Sequence, residues 1–358
     1  MTGATMTKVF SMFTGIGGFE MGLLMSKKEV QFVGYSEIDK YAIEVFEKQF
    51  KGTKNYGNAT DIDETKLPNF DLLVGGFPCQ AFSVAGKLRG FDDTRGTLFF
   101  DVARILKHKK PKHFILENVR GLLSHDNGRT MQTILKVLTD IGYMVQWEVC
   151  NSKNYGVPQN RERVYIVGHL RGSSRPQIFP IGESQKVSDK SREEKRKGSG
   201  KVSSTITSNY KRGVHAMGES YIVEKANLKE LTKNMSMGYR VYDSSGVSTT
   251  LRALGGGLGA KTGLYQVKAC LTPDRKEKRQ NGRRFKDNEE PMFTLTGQDK
   301  HGVMINSQIR RLTPTECERL QGFPDGWTDG ISDTQRYKCL GNAVTTNVVC
   351  EIAKRLLK

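Results

Sequence analysis

The 358-residue sequence predicts an α/β domain with a Rossmann-like sheet, accompanied by a smaller β-rich lobe. Three observations lead there. From Lys8 to Gly168 short apolar runs alternate with longer amphipathic ones, which implies a sheet with ligands at the strand ends. Gly15-Ile16-Gly17-Gly18 stands between a strand-like and a helix-like stretch, where glycines allow a tight turn and close approach of a ligand. Between about Val202 and Gln308 three segments share a pattern of Thr around a β-branched or Leu residue, then Gly and a strand-like tail.

Taken in order, Lys8–Met12 and Phe32–Ser36 read as strands, and Tyr41–Phe50 as a helix with Tyr41, Ala42, Val45 and Phe46 on one face. Strand Asp71–Val74, helix Leu98–Lys107, strand His113–Glu117 and helix Arg129–Ile141 follow, then strands Met144–Cys150 and Arg163–Gly168. Arg171–Ser204 is dominated by Gly, Ser, Lys, Arg and Glu and reads as an exposed linker. The three related segments are Ser203–Thr207, Ser248–Leu251 and Met292–Thr296. At the C-terminus Val348, Val349, Ile352, Ala353, Leu356 and Leu357 recur at helical spacing, predicting an amphipathic helix that docks on the first domain.

Composition narrows the function. No run of eighteen apolar residues occurs and no charged-then-apolar leader opens the chain, so a soluble, cytoplasmic protein is expected. The six cysteines are scattered, without a CxxC pair or a His at zinc-finger spacing, so neither a structural metal nor a disulfide framework is expected. The net charge of +18 favours a polyanionic partner. Residues 171–310 carry 27 Lys/Arg against 14 Asp/Glu, so most of the excess is there. The basic insertion Arg275–Arg284 reads as a solvated loop or as a phosphate track.

The chemistry centres on Gly75-Gly76-Phe77-Pro78-Cys79-Gln80-Ala81-Phe82-Ser83, which follows the apolar run Asp71–Val74. A buried strand ending in such a loop presents Cys79 at a binding surface, where a thiolate acts as a nucleophile if cations or backbone donors lower its pKa. The alternative for an isolated cysteine is a small buried thiol. Glu117 ends the strand His113–Leu116, where an ordinary salt bridge is the alternative to general acid work. Arg161 and Arg163, one residue apart at the edge of a strand, point the same way. Glu37 ends the second strand, a place where an acid suits the hydroxyls of a ribose.

These blocks, with Phe13–Phe19, Glu37–Asp39, Arg95–Phe99, Glu117–Val119, Gln159–Arg163, Arg311–Pro324 and Gly341–Val344, stand in the order and spacing of the DNA (cytosine-5) methyltransferases. The chain resembles the bacterial restriction-modification enzymes of the HhaI and HaeIII type over nearly its whole length, apart from about Arg171 to Gln308. The resemblance implies an S-adenosylmethionine-dependent methyltransferase fold with a target-recognition domain. It divides the chain into a catalytic domain, 1–170 completed by 331–358, a basic linker, 171–202, and a recognition domain with hinge, 203–330.

By the same resemblance Cys79 is the nucleophile, Glu117 the acid, Arg163 the partner of the base's carbonyl oxygen and of Glu117, and Arg161 a more structural member of the catalytic set. Phe13, Gly15, Ile16 and Gly18 would meet the methionine end of the cofactor and Glu37 the ribose. Ile38 would pack on the adenine, Asp61 and Ile62 would reach its edge, and Pro78, Leu98, Asn342 and Val344 would complete the pocket. Ser11 departs from the family, many members of which carry an acid there. In the region the blocks leave uncovered, Arg240 resembles a guanine reader, with Thr250 and Arg252 in the following segment. Met237 and Ala85 stand where the gap left by a flipped base would be filled.

The expected partner is double-stranded DNA, with any cognate restriction endonuclease acting separately, no membrane contact, and a monomeric, bacterial or phage-encoded enzyme. A transfer RNA methyltransferase of the same family is the alternative. A zinc base deaminase is disfavoured, because His-x-Glu and Pro-Cys-x-x-Cys are both missing from the sequence.

Overall fold

A computed structural model describes residues 6–78, 98–181, 241–242, 264–265, 268–273, 283–287, 290–305 and 308–357. The described chain forms two compact units: 1–157 with 161–183 and 314–358, and 158–160 with 184–313.

The first unit is built on six strands, β1 (Thr7–Met12), β2 (Val30–Ser36), β3 (Leu72–Gly76), β4 (His113–Val119), β5 (Tyr143–Asn151) and β6 (Glu162–Leu170), in the order β2-β1-β3-β4-β6-β5. The first four run parallel, and β4–β6 and β6–β5 are antiparallel. Successive residues of β1 and β3 are buried, as expected of strands covered on both faces. One face carries Phe10, Met12, Leu73, Phe114, Leu116 and Ile166 beneath α3 (Leu98–Lys109) and α4 (Arg129–Asp140). The other carries Val9, Leu72, Val74, Ile115 and Val167 beneath α1 (Gly18–Met25) and a C-terminal helix, Thr346–Leu356. The amphipathic α2 (Lys40–Gln49) is capped by Asp39, whose side chain accepts from Tyr41 N at 3.0 Å.

Two further helices precede the last, so the C-terminal series is α5 (Pro314–Gln321), α6 (Asp333–Asn342) and α7 (Thr346–Leu356). The expected docking of the chain end is observed: Val348, Val349, Ile352, Ala353 and Leu356 of α7 are buried in the core of the sheet.

Two expectations on boundaries are corrected. Pro314–Gly330 packs in the first unit and not with the segment before it. Glu318, fully buried, accepts from Gly326 N and Thr328 N at 2.8 Å each, while Arg336 of α6 reaches it at 3.1 Å. Nor is 171–181 an exposed linker. Ile178 and Ile181 are buried beside α7, and their backbone N–H groups donate to Gln146 at 3.0 Å and Glu148 at 3.1 Å.

The second unit is β-rich. Strands β9 (Lys268–Leu271), β10 (His301–Ile305) and β11 (Gln308–Arg311) form an antiparallel sheet. The short strands β7 (Val241–Tyr242) and β8 (Leu264–Tyr265) pair in parallel. Met292–Thr296 is held by Gln159, which accepts from Leu295 N at 2.9 Å, and by Thr294, which donates to Asn160 O at 2.6 Å. The segments Ser203–Thr207 and Ser248–Leu251, and most of Arg275–Arg284, lie outside the described residues.

At the end of the sheet remote from Glu117, His113 and His169 face each other across β4 and β6, with Nδ1 atoms 3.1 Å apart. Burial, then the neighbouring His113 and Arg175, push His169 down to about 4. Burial and Lys112 lower His113 against the pull of Asp71. The folded state therefore holds both rings neutral while the unfolded chain takes up protons near pH 6.5. Stability is full above that pH and is lost as pH falls towards 4, by on the order of 2 kcal/mol for His169. Urea unfolding at pH 7 and pH 5 should show this loss in the wild type and a smaller one in His169→Gln.

Candidate active site

One side of the candidate site is built on the turn between β1 and α1. Phe13, Gly15 and Gly17 take φ of 53°, 56° and 85°, a left-handed course that glycine allows and that Phe13 adopts at a cost. Gly15 N donates to Glu37 Oε2 at 2.8 Å, and Glu37 Oε1 accepts from Ile38 N at 2.8 Å and Asp39 N at 2.9 Å. The carboxylate is thus fixed between the glycine turn and the start of α2. Ile38 beside it is 71% exposed, an apolar side chain left open to a ligand.

Gly18 lies against Val344: a Cβ there would stand 2.7 Å from Val344 Cγ1 and 3.1 Å from its carbonyl oxygen. Gly18→Ala is therefore expected to displace Val344 and, if this turn meets the expected S-adenosylmethionine, to weaken its binding about tenfold while the protein stays folded, a loss of about 1.4 kcal/mol that titration calorimetry can measure.

Asp61 is exposed and Ile62 buried on the loop after α2. Arg104 of α3 braces that loop, donating to Ile62 O at 2.7 Å and Ala59 O at 3.1 Å and pairing with Asp101 and Glu64. Pro78 and Asn342 are exposed and Leu98 half-buried.

Three residues that the sequence reading did not single out belong to this side. Trp327 donates its indole N–H to Ile16 O at 2.8 Å and packs on Phe50 and Phe323. Arg104 is the second. Glu20, 1% exposed, accepts from Thr14 Oγ1 at 2.7 Å, and Thr14 Oγ1 lies 2.8 Å from Ser11 Oγ. Burial raises the pKa of Glu20. The acid missing at position 11 thus has a counterpart one hydroxyl away, reaching in from α1.

The other side of the candidate site lies at the C-terminal end of β4. Glu117 pairs in register with Gly76 of β3 and Tyr165 of β6, and its Oε1 lies 3.0 Å from Arg163 Nε. Both side chains are nearly buried, at 13% and 15% exposed. Burial raises the pKa of Glu117, and Arg163 and then Arg161 oppose the rise. A carboxyl in that position keeps a proton more readily than a solvated one, which is what a general acid requires. Its Oε2 stands 3.3 Å from where a Cβ on Gly76 would be, so a larger residue at 76 would crowd it.

Asn118, buried at 1% exposure, donates to Phe77 O at 2.8 Å and so ties the end of β4 to the residues that lead into Cys79. Cys79 and Ala85 lie outside the described residues, as do Met237, Arg240, Thr250 and Arg252.

Arg161 is 2% exposed, and its guanidinium donates to Ala343 O at 2.7 Å and Gly341 O at 3.3 Å. Around it Gln321 donates to Leu340 O at 2.7 Å, Thr345 to Gln321 Oε1 at 2.9 Å, and Ser152 Oγ lies 2.8 Å from Thr345 Oγ1. This network stands between the turn that carries Asn342 and Val344 and the pair Glu117–Arg163.

Comparison with known proteins shows the family and the fold. Residues 7–358 match the family model for C-5 cytosine-specific DNA methylases. The chain is 37% identical to orphan methyltransferase M.SPRI of Bacillus phage SPR, covering 98% of this chain and 97% of that one. It is 38% identical to type II methyltransferase M.HpaII of Haemophilus parainfluenzae, covering 97% and 88%. Among solved structures, Entamoeba histolytica methyltransferase EhMeth aligns over 99% of this chain and 98% of its own, with TM-score 0.57 and 19% identity. Dnmt2 methyltransferase of S. pombe aligns over 99% and 98%, with TM-score 0.57 and 16% identity. The sheet with its α-helical layers and separate β-rich unit is thus the fold of a methyltransferase, and the chain belongs to the family of C-5 cytosine-specific DNA methyltransferases.

Proposed function

We propose that the protein transfers a methyl group from S-adenosylmethionine to carbon 5 of a cytosine rotated out of a short, specific sequence in duplex DNA, through a transient bond to Cys79. The observation that carries the proposal is the nearly buried Glu117–Arg163 pair, set beside the strand end that leads to Cys79. The residues present suit the cofactor. Gly15 has open space where a Cβ would stand and so allows a close approach to backbone, the Glu37 carboxylate is fixed for paired hydroxyls, and Ile38 offers an exposed apolar surface to a flat ring. Asp61, Ile62, Pro78, Leu98, Asn342 and Val344 complete that pocket, with Phe13 and Ile16 at the turn. The cofactor supplies an electrophilic methyl group.

The chain's own residues make carbon 5 able to accept it. The Cys79 thiolate bonds to carbon 6 of the ring while Glu117 gives its proton to ring nitrogen 3, so the added electron pair does not accumulate as charge. Arg163 holds the carbonyl oxygen of the base and keeps Glu117 oriented. Once carbon 5 carries the methyl group, its proton passes to solvent, the carbon 6–sulfur bond breaks so that Cys79 leaves as thiolate, and the proton on ring nitrogen 3 returns to the Glu117 carboxylate. Rotating the base out costs a few kcal/mol, which the basic, β-rich second unit repays by gripping the duplex. Arg240, Thr250 and Arg252 are assigned to reading the target, and Met237 and Ala85 to filling the gap. The protein acts as a cytoplasmic monomer of bacterial or phage origin, and any restriction endonuclease works separately.

Expression in a host that lacks cytosine methylation, followed by bisulfite sequencing, tests this. Methylated cytosine confined to one short motif is expected. DNA free of the mark, with transfer to transfer RNA instead, would replace the substrate.

A further inference from the structure

Arg161 occupies an unusual place. Its side chain is shut away from water, and two carbonyl groups flanking Asn342, those of Gly341 and Ala343, accept from its guanidinium. Its own backbone is fixed as well, with Ser152 N donating to Arg161 O at 3.0 Å and Arg161 N to Asn151 Oδ1 at 3.2 Å. The strand it enters carries Arg163, which pairs with Glu117. A planar, fixed charge with several donors can hold two acceptors and act electrostatically on a third group, which a lysine cannot do in the same way.

We propose that Arg161 is a positioning residue that joins the two halves of the site: its donors hold the Gly341–Val344 turn in shape for the cofactor, and its charge acts on Glu117. The proposal rests on the reading of the site as a cytosine-5 methyltransferase centre. It divides the side chain's work into a geometric part and an electrostatic part that two substitutions can separate. Glu117 is faced by Arg163 and Tyr165 from β6, by Arg161 just ahead of that strand, and by Gly76 from β3. Among the described residues the charges acting on it are therefore those of Arg163 and Arg161. Removing Arg161 takes away one of the two influences that favour the ionised carboxylate, so Glu117 holds its proton to higher pH.

The experiment compares the full-length wild type with Arg161→Lys and Arg161→Met, measuring S-adenosylmethionine affinity by calorimetry and single-turnover methyl transfer against pH at saturating cofactor and duplex. Arg161→Lys keeps the charge and loses the paired donors. Its cofactor affinity should fall about tenfold, with the alkaline limb of the pH profile unmoved. Arg161→Met loses both functions, so affinity should fall at least as far and the alkaline limb should move upward by about half a pH unit or more. A residue that only supports the fold would lower the amplitude of both profiles without moving either limb, and that result overturns the proposal. So does the loss of folded protein in both variants, judged by circular dichroism. An inactive wild type would instead remove the methyltransferase reading itself, a failure recognisable before any variant is compared.

Discussion

Cys79→Ala is expected to lower methyl transfer by on the order of 10⁴-fold or more, the scale on which removal of a covalent nucleophile acts. Duplex affinity in a gel-shift titration should stay within a few-fold of the wild type. In the proposed mechanism the thiol bonds to carbon 6; without it carbon 5 would remain part of an intact aromatic ring and a poor nucleophile. Nothing in the binding of a polyanion depends on that sulfur, since phosphate contacts come from cations and backbone donors. A variant that retained more than a few per cent of the rate would remove the covalent mechanism, and one that lost duplex binding with the rate would turn Cys79 into a contact residue. Trapping gives a second readout. A duplex carrying 5-fluorocytosine at the target should give a denaturation-resistant adduct with the wild type and none with the variant, because fluorine cannot leave as the carbon-5 proton does.

Glu117→Gln comes next in size, with an expected fall of about 10² to 10⁴-fold, the range assigned to general acid–base groups. Gln keeps the shape of the side chain and can still donate a hydrogen bond, but it cannot give up a proton to ring nitrogen 3. The pH profile separates this role from a packing role. Burial raises the pKa of Glu117 against the opposing pull of Arg163 and Arg161, so the carboxyl holds its proton to higher pH than a solvated glutamate. Wild-type activity should descend on the alkaline side as that proton is lost, and the descent should vanish in Glu117→Gln. Unchanged profiles in both proteins would take the acid role away from Glu117. The substitution also leaves Arg163 nearly buried without its counter-charge, so some loss of stability is expected and should be measured separately by urea unfolding.

Much of the first unit was legible in the sequence because its signals are local. Strands Leu72–Gly76 and His113–Val119 contain the short apolar runs Leu72-Leu73-Val74 and Phe114-Ile115-Leu116, and the helix Thr346–Leu356 has its apolar residues at helical spacing. Glu117 and Arg163 were legible as motif members, and the structure brings them within 3.0 Å. What escaped depends on partners far apart in the chain. Nothing near Trp327 indicates that its indole will meet Ile16 O, 311 positions earlier. Glu20 reads as one acid at the start of a helix until Thr14 folds back on it. Ile178 and Ile181 stand among polar and proline residues without a period, so their burial against α7 left no local trace. The boundary at Pro314 was missed for a related reason: α5 and α6 are polar in composition, and what fixes them to the first unit is the buried cluster of Glu318, Thr328 and Arg336.

The α7 segment, which lies in the core beside α1, comes from the last residues of the chain, whereas the β-rich unit comes from its middle. A ribosome must therefore translate the entire insert before the sheet of the first unit receives its final layer. A chain released early would have its glycine turn and Glu117 in hand but would lack Val344 and the apolar residues of α7. A chain that ends before α7 is thus expected to lack the layer that closes one face of the sheet, and with it the fold that the candidate site depends on.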